Sequence, residues 1–220
     1  FAHEIFLQTY EMKIKICGLK YEENLNAIKA FKPDFVGFVF YEKSKRFVGF
    51  DNEVLAFYSN EINKVGVFVN QSIEIVEHIA NKYSFKYLQL HGDETPNYCE
   101  ELKNKGFGII KAFGIDDDFD FSILDQYDLK VDYFLFDTKT KDFGGSGKVF
   151  DWRILEKYNL SKPFFLSGGI GVENIDDILK ISHSLLFAID VNSKFEIEPG
   201  LKDLDKSRQV INKLKSKEFN

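Results

Sequence analysis

Three groups able to move a proton each stand at the end of a short apolar run in this chain. Cys17 closes Met12-Lys13-Ile14-Lys15-Ile16-Cys17, Asp137 closes Tyr133-Phe134-Leu135-Phe136-Asp137, and His91 follows Leu88-Gln89-Leu90. A thiol is a base only as the thiolate, so a value near 8.5 has to fall before Cys17 is useful. Asp137 faces the opposite demand: at the end of so apolar a segment, desolvation should raise its pKa unless a cation offsets it, leaving a carboxylic acid able to donate a proton. Lys15 is two residues before Cys17 and shares its strand face, where an ammonium would favour the thiolate. Gln89 and His91 share a face by the same rule and could orient a ligand. Plainer roles compete with each of these. Cys is a small, commonly buried hydrophobe, Asp137 could cap a loop, Lys15 could belong to a structural polar layer, and His91 could be a structural donor.

Two further stretches suit anions. Gly168-Gly169 can present backbone N–H groups with no Cβ in the way, and a helix beginning near Val172 would aim its positive end at the same place. Ser193, after Asn192, could complete such a phosphate seat, although the glycines could equally make only a tight turn. Arg46, in a loop with Lys43 and Lys45, could clamp a carboxylate bidentately, or belong to a solvated basic loop. Cys99 lies between charged residues with no partner in view.

The elements that would carry these groups alternate between short β-branched and aromatic runs and longer stretches with helical spacing, the rhythm of repeated βα units. Strands are expected at 13–17, 34–40, 64–69, 85–90, 108–113, 132–137, 163–166 and 185–191. Between them, Leu25, Ile28 and Phe31 share one helical face and Ile75, Val76 and Ile79 another, and helices are also expected near Asp51, after Thr95-Pro96 and from about Asp151. The segment after the fifth strand is acidic and broken, with 121–127 only a short turn. Val172, Ile175, Ile178 and Leu179 form the next apolar face, and a last helix should bury Leu204, Val210, Ile211 and Leu214.

Eight such units in one chain of 220 residues point to a single-domain (β/α)8 TIM barrel. A doubly wound open sheet is the alternative, but no Gly-x-Gly-x-x-Gly follows the first strand, and the glycine-rich strand ends come late, where a barrel forms its phosphate site. In a barrel the C-terminal strand ends share one mouth, which would collect Cys17, Arg46, Gln89, His91, Asp137, Gly168, Gly169 and Ser193.

Composition bounds the function. A net charge of -6 with interspersed charges argues against a nucleic-acid surface. No apolar run approaches the roughly 20 residues of a membrane helix. Two cysteines, Cys17 and Cys99, give neither a disulfide framework nor a metal-ligand spacing, which suits a reducing, cytoplasmic setting. Met12 is the only methionine, so residues 1–11 are expected to be an appended extension and 12–220 the barrel domain.

On its motifs the chain resembles the phosphoribosylanthranilate isomerase family. The segments are Lys15-Ile16-Cys17-Gly18-Leu19, Phe38-Val39-Phe40 with Ser44-Lys45-Arg46, Gly66-Val67-Phe68-Val69-Asn70, Leu88-Gln89-Leu90-His91-Gly92-Asp93-Glu94, and Phe136-Asp137. They continue with Gly144-Gly145-Ser146-Gly147, Phe150-Asp151-Trp152, Ser167-Gly168-Gly169-Ile170, Asp190-Val191-Asn192-Ser193 and Pro199-Gly200-Leu201-Lys202-Asp203. The resemblance implies an Amadori rearrangement of N-(5-phosphoribosyl)anthranilate in tryptophan biosynthesis, with no cofactor or metal, by a monomer or homodimer. It implies Asp137 as the acid that opens the furanose and Cys17 as the base at C2. It further implies Arg46 on the anthranilate carboxylate, Gln89 and His91 beside the substrate, and Gly168, Gly169, Asn192 and Ser193 at the phosphate. Two departures stand out: Lys194 replaces a small residue after Asn192-Ser193, and the Ser-Lys-Arg loop lacks the proline often found between Ser and Arg. Competing functions are another phosphate-binding barrel, such as an indole-glycerol-phosphate synthase or a sugar-phosphate epimerase, and a non-catalytic barrel that binds a phosphorylated metabolite.

Overall fold

The structure, a computed structural model, describes residues 12–52, 55, 61–139 and 150–216. Eight strands close into a parallel barrel in chain order: β1 Lys13–Cys17, β2 Phe35–Val39, β3 Asn63–Phe68, β4 Tyr87–Leu90, β5 Gly108–Ile115, β6 Tyr133–Thr138, β7 Phe164–Leu166 and β8 Leu186–Val191, with β8 back against β1. The single-domain barrel expected from the sequence is the observed architecture. The boundary after residue 11, the loop holding Gly144–Gly147 and most of the segment after Asp51 fall outside the described residues.

Strand alternation divides the apolar residues into two bodies. Ile14, Ile16, Val36, Phe38, Phe134 and Phe136 face outward and pack under the helices. Phe35, Val65, Val67, Ile110, Ala112, Leu135, Phe165 and Ala188 face inward. Within the barrel, Phe35, Tyr87, Tyr133, Phe165 and Phe187 form a mostly edge-to-face aromatic floor, with ring centroids such as Phe35–Phe165 and Tyr133–Phe165 at 5.4 Å, while Tyr133–Phe187 at 4.8 Å is tilted. Gly37, Gln89 and Ser167 each lie two residues beyond a member of that floor. The next inward layer thus mixes the polar Gln89 and Ser167 with Leu135, and it sits on an aromatic base.

The helices differ in length around the barrel. Helix α1, Glu22–Ala30, has acidic residues in its first turn and Lys29 in its last, as the helix dipole prefers, and buries Leu25 and Ile28. In α2, Ile73–Lys82, the Ser72 hydroxyl accepts from Ile75 N–H and the buried stripe is Val76, Ile79 and Ala80. Ile75, expected inward, lies at the edge of that stripe in the first turn and is exposed. Helix α3, Pro96–Asn104, starts as expected, with Thr95 capping Tyr98 N–H and Pro96 in the first turn.

After β5 and β6 the helical segments among the described residues are 3₁₀ turns, Phe121–Gln126, the short turn expected there, and Trp152–Lys157, each opened by an aspartate, Asp120 and Asp151. The helix expected from about Asp151 is thus a tighter turn, capped by the Asp151 side chain, which accepts from Arg153 N–H. After β7, α4 is the single turn Ile175–Ile178, and α5, Leu204–Ser216, buries Val210, Ile211 and Leu214 but leaves Leu204 exposed at its first position. Between β8 and α5 lies a small antiparallel hairpin, β9 Glu196–Glu198 with β10 Leu201–Lys202, which sequence periodicity did not reveal. Among the described residues no helix is long and apolar enough to cross a membrane.

Candidate active site

Cys17, Gln89, His91, Asp137, Ser167 and Asp190 line one cleft at the C-terminal mouth of the barrel, together with Ser44 from the loop after β2. They come from β1, β4, β6, β7 and β8, so barrel closure is what brings the expected acid and base together.

Beneath them lies a fully buried cation. Lys15 is the direct register partner of Asp190, and its Nζ donates to Asp190 Oδ2 at 2.9 Å and to Gln89 Oε1 at 2.7 Å. An ammonium has only donors, so the Gln89 carbonyl must face Lys15 and its NH2 must face His91 Nδ1, 2.7 Å away. That network assigns Nδ1 as an acceptor and places the ring proton on Nε2, which is 3.5 Å from Asp137 Oδ2. The other Asp137 oxygen, Oδ1, accepts from Thr138 N–H at 2.8 Å. Asp137 thus stands in the mouth, partly exposed, rather than among the apolar side chains of its strand. Across the barrel, Asp190, Lys15, Gln89, His91 and Asp137 form one chain of polar contacts.

The Lys15 ammonium also acts on the neighbouring Cys17 thiol through its charge. Burial would lower the lysine, but the attraction of Asp190 and Cys17 outweighs it and holds the ammonium above its ordinary range. For Cys17 the balance falls the other way. Lys15 pulls the thiol down, the direction expected, but burial pushes it up by more. Room for the sulfur comes from Gly37, the register partner of Cys17, where a Cβ would lie 2.7 Å from Sγ and 3.2 Å from Lys15 Cε. Cys99, in contrast, is sealed beneath α3, and burial raises its thiol to about 12.

Arg46 crosses the end of β1. Gly18, at φ +76°, leaves space for it: a Cβ there would meet Arg46 Cδ at 2.7 Å and Asn192 Oδ1 at 2.8 Å. Its guanidinium is held by Glu196, with Nε to Oε1 at 2.8 Å and Nη2 to Oε2 at 2.6 Å. Glu196 Oε1 also accepts from Lys202 Nζ at 2.9 Å and Gly200 N–H at 3.0 Å. Burial pulls the Lys202 ammonium down to about 8 against the opposing charge of Glu196.

The model for N-(5'-phosphoribosyl)anthranilate isomerase matches residues 14–213. The chain belongs to this family. Among its N-(5'-phosphoribosyl)anthranilate isomerase relatives, the one from Parabacteroides distasonis is 47% identical over 206 residues, covering 92% of this chain and 93% of its own. The crystal structure of the Thermotoga maritima phosphoribosyl anthranilate isomerase superposes with a TM-score of 0.84 at 33% identity, covering 93% of this chain and 99% of that one. A phosphoribosyl anthranilate isomerase solved in complex with reduced 1-(o-carboxyphenylamino)-1-deoxyribulose 5-phosphate gives 0.80 at 30% identity, over 93% and 99% of the two chains. The isomerase class and the place in tryptophan biosynthesis expected from the motifs stand with membership of the phosphoribosylanthranilate isomerase family.

The sequence-expected residues divide accordingly. Cys17, Gln89, His91 and Asp137 meet in the cleft, and Gly168 adjoins them, since a Cβ on it would lie 3.0 Å from Asp137 Oδ1. Gly168 and Gly169 both have positive φ, +92° and +61°. The helix expected to reinforce them is corrected: α4 is one turn starting only at Ile175, and Asn174 instead ties the loop by accepting from Gly171 N–H and donating to Gly169 O. The Asn192 side chain is turned to Lys202, which donates to its Oδ1 at 2.8 Å and leaves the amide NH2 as a donor. Asp190, Gly37, Glu196 and Lys202 were not singled out as site residues. Asp190 carries the signal that marked Asp137, a carboxylate ending an apolar strand, and Lys202 sits inside a family motif.

Proposed function

We propose that the mouth of this barrel rearranges N-(5-phosphoribosyl)anthranilate to 1-(2-carboxyphenylamino)-1-deoxyribulose 5-phosphate by general acid and base catalysis, in the cytoplasm and as a monomer or homodimer. Asp137 gives a proton to the furanose ring oxygen while the anilino nitrogen pushes electrons toward C1, breaking the C1–O bond and leaving an iminium. Cys17 then takes the proton from C2, and the electron pair of that bond neutralises the iminium as an enolamine. Protonation at C1 and loss of the enol proton give the ketone. Arg46 holds the anthranilate carboxylate, Gln89 and His91 orient the sugar, and Gly168, Gly169, Asn192 and Ser193 surround the phosphate.

The observation that carries this reading is the convergence of Cys17 and Asp137 on one cleft while both connect to the same buried ammonium, Lys15. One cation serves two opposite tasks. It lies against the thiol that must lose a proton, and through Gln89 and His91 it fixes the direction of the carboxyl that must deliver one. The fluorescence loss as phosphoribosylanthranilate is consumed tests the assignment directly. Cys17→Ala and Asp137→Asn should each abolish turnover while a product analogue still binds; turnover within a few-fold of the parent in either variant would remove that residue from the mechanism.

A further inference from the structure

Arg46 sits in a loop with no proline to stiffen it, on a long side chain that loses considerable freedom when it is ordered. Something else has to aim it. Glu196, only 5% exposed, engages the guanidinium along its side edge, through Nε–H and one N–H of Nη2. Of five guanidinium N–H groups that pairing leaves three, two on Nη1 and one on Nη2, and the end edge they form matches a second carboxylate in the same plane. We propose that Glu196 is the positioning residue of Arg46, turning the guanidinium so that its end edge is offered to the ring carboxylate of the ligand. The inference rests on Arg46 being the carboxylate site.

Glu196 is itself fixed for the task. Its Oε1 accepts from Lys202 Nζ and Gly200 N–H within the β9–β10 hairpin, so the hairpin anchors the carboxylate and the carboxylate anchors the arginine. It also separates two cations, Arg46 and Lys202, that would otherwise face each other in a buried place. Arg46 plus Lys202 less Glu196 leaves one net positive charge beside Cys17, which one ligand carboxylate would neutralise.

A role confined to holding the hairpin differs from this in what it predicts for ligands. Glu196→Gln keeps an acceptor at Oε1 for Lys202 and Gly200, but puts an NH2 group opposite the Nη2–H of Arg46, donor against donor. Binding is measured by titration calorimetry with two probes, reduced 1-(2-carboxyphenylamino)-1-deoxyribulose 5-phosphate and the same compound without its ring carboxylate. Glu196→Gln should weaken the carboxylated probe about 10- to 100-fold and change the other by less than about twofold. KM should rise with little change in kcat. In an Arg46→Met background the Glu196→Gln change should cost nothing further.

If Arg46→Met discriminates between the probes and Glu196→Gln does not, the positioning role is overturned while the carboxylate site survives. If Arg46→Met weakens both probes alike, the carboxylate site itself is lost. Glu196→Asp, one methylene too short to reach the fork, should reproduce the same selectivity; equal weakening of both probes in both Glu196 variants would assign the residue to the hairpin alone.

Discussion

Two buried lysines on opposite strands of the barrel, Lys15 on β1 and Lys111 on β5, have the same partner type and opposite meanings. Lys111 on β5 faces the helix side, and its Nζ donates to Glu94 at 3.0 Å and to the carbonyls of Leu90, Gly92 and Ala112. Glu94 in turn accepts from the N–H groups of Asn70 and Gly92. Backbone groups account for nearly every bond, and the pair is closed upon itself. Lys15 instead donates to side chains, Asp190 and Gln89, whose far ends lead to the mouth, and it leaves Asp190 Oδ1 buried with no partner among the described residues. A buried ion pair that backbone satisfies holds a loop. One that hands its bonds on to other side chains, and leaves an acceptor open, belongs to a site where bonds must change.

The sharpest way to break that comparison is to remove each cation. Lys15→Met should reduce kcat by about 10²- to 10⁴-fold, the scale of losing positioned acid and base groups, in protein whose far-ultraviolet circular dichroism is unchanged. Lys111→Met should leave kcat of the folded enzyme within about twofold. It strands Glu94 in the interior, at a cost of about 3–5 kcal/mol, which lowers Tm by roughly 6–20 °C in a domain of this size. Equal loss of turnover in the two variants would erase the distinction.

The contrast also explains how far the sequence could be read. Lys15 and Cys17 were placed on one face by strand alternation, and β1 has the bounds expected, because Lys13–Cys17 alternates inward polar with outward apolar residues and ends at a glycine. The βα rhythm led to the barrel for the same reason. What the sequence could not display were contacts made by closure. Glu196 lies in Lys194-Phe195-Glu196-Ile197-Glu198, which looks like a solvated alternating segment, and its partner Arg46 is 150 residues away. The short turn after β5 was legible in its acidic, broken sequence, but those after β6 and β7 were beyond periodicity, since a 3₁₀ turn and a four-residue helix are too brief to repeat a face. Whether Lys15 lowers the Cys17 thiol enough depended on burial, which a motif does not report.

The middle of the chain of contacts is the next test. Gln89→Leu removes the amide that joins Lys15 to His91, freeing the ring to flip and the Nε2–H to leave Asp137. A fall in kcat of about 10- to 100-fold is expected, with ligand affinity reduced much less; Gln89→Leu with unchanged kcat would show that Asp137 needs no such guide.

The pH dependence of kcat/KM discriminates the two lysines again. Burial raises the Cys17 thiol, so its basic form is reached only at higher pH, and kcat/KM in the free enzyme should climb about tenfold per pH unit below that pKa. Lys15→Met removes the charge that pulls the thiol down, so the rising limb should move further to alkaline pH, while Lys111→Met should not shift it. A limb below the ordinary thiol range in the parent enzyme would contradict the burial argument.

The smallest effect belongs to the surface pair at the other end of the mouth. Lys194, which replaces a small residue beside Ser193, is turned to Glu173, with Nζ 2.6 Å from Oε1 and both side chains substantially exposed. Glu173 comes from the loop after β7, which holds the glycine turn, and Lys194 from the segment after β8, so the pair ties these two segments together. Exposed pairs of this type contribute about 0–1 kcal/mol, because both ends remain hydrated. Lys194→Ala should therefore change KM by no more than about threefold and leave Tm within about 2 °C, and Glu173→Gln, which frees the cation, should lower KM slightly and more so at low salt. A tenfold rise in KM for Lys194→Ala would show that the lysine leaves Glu173 for the phosphate when substrate is bound, making this surface pair a part of the site after all.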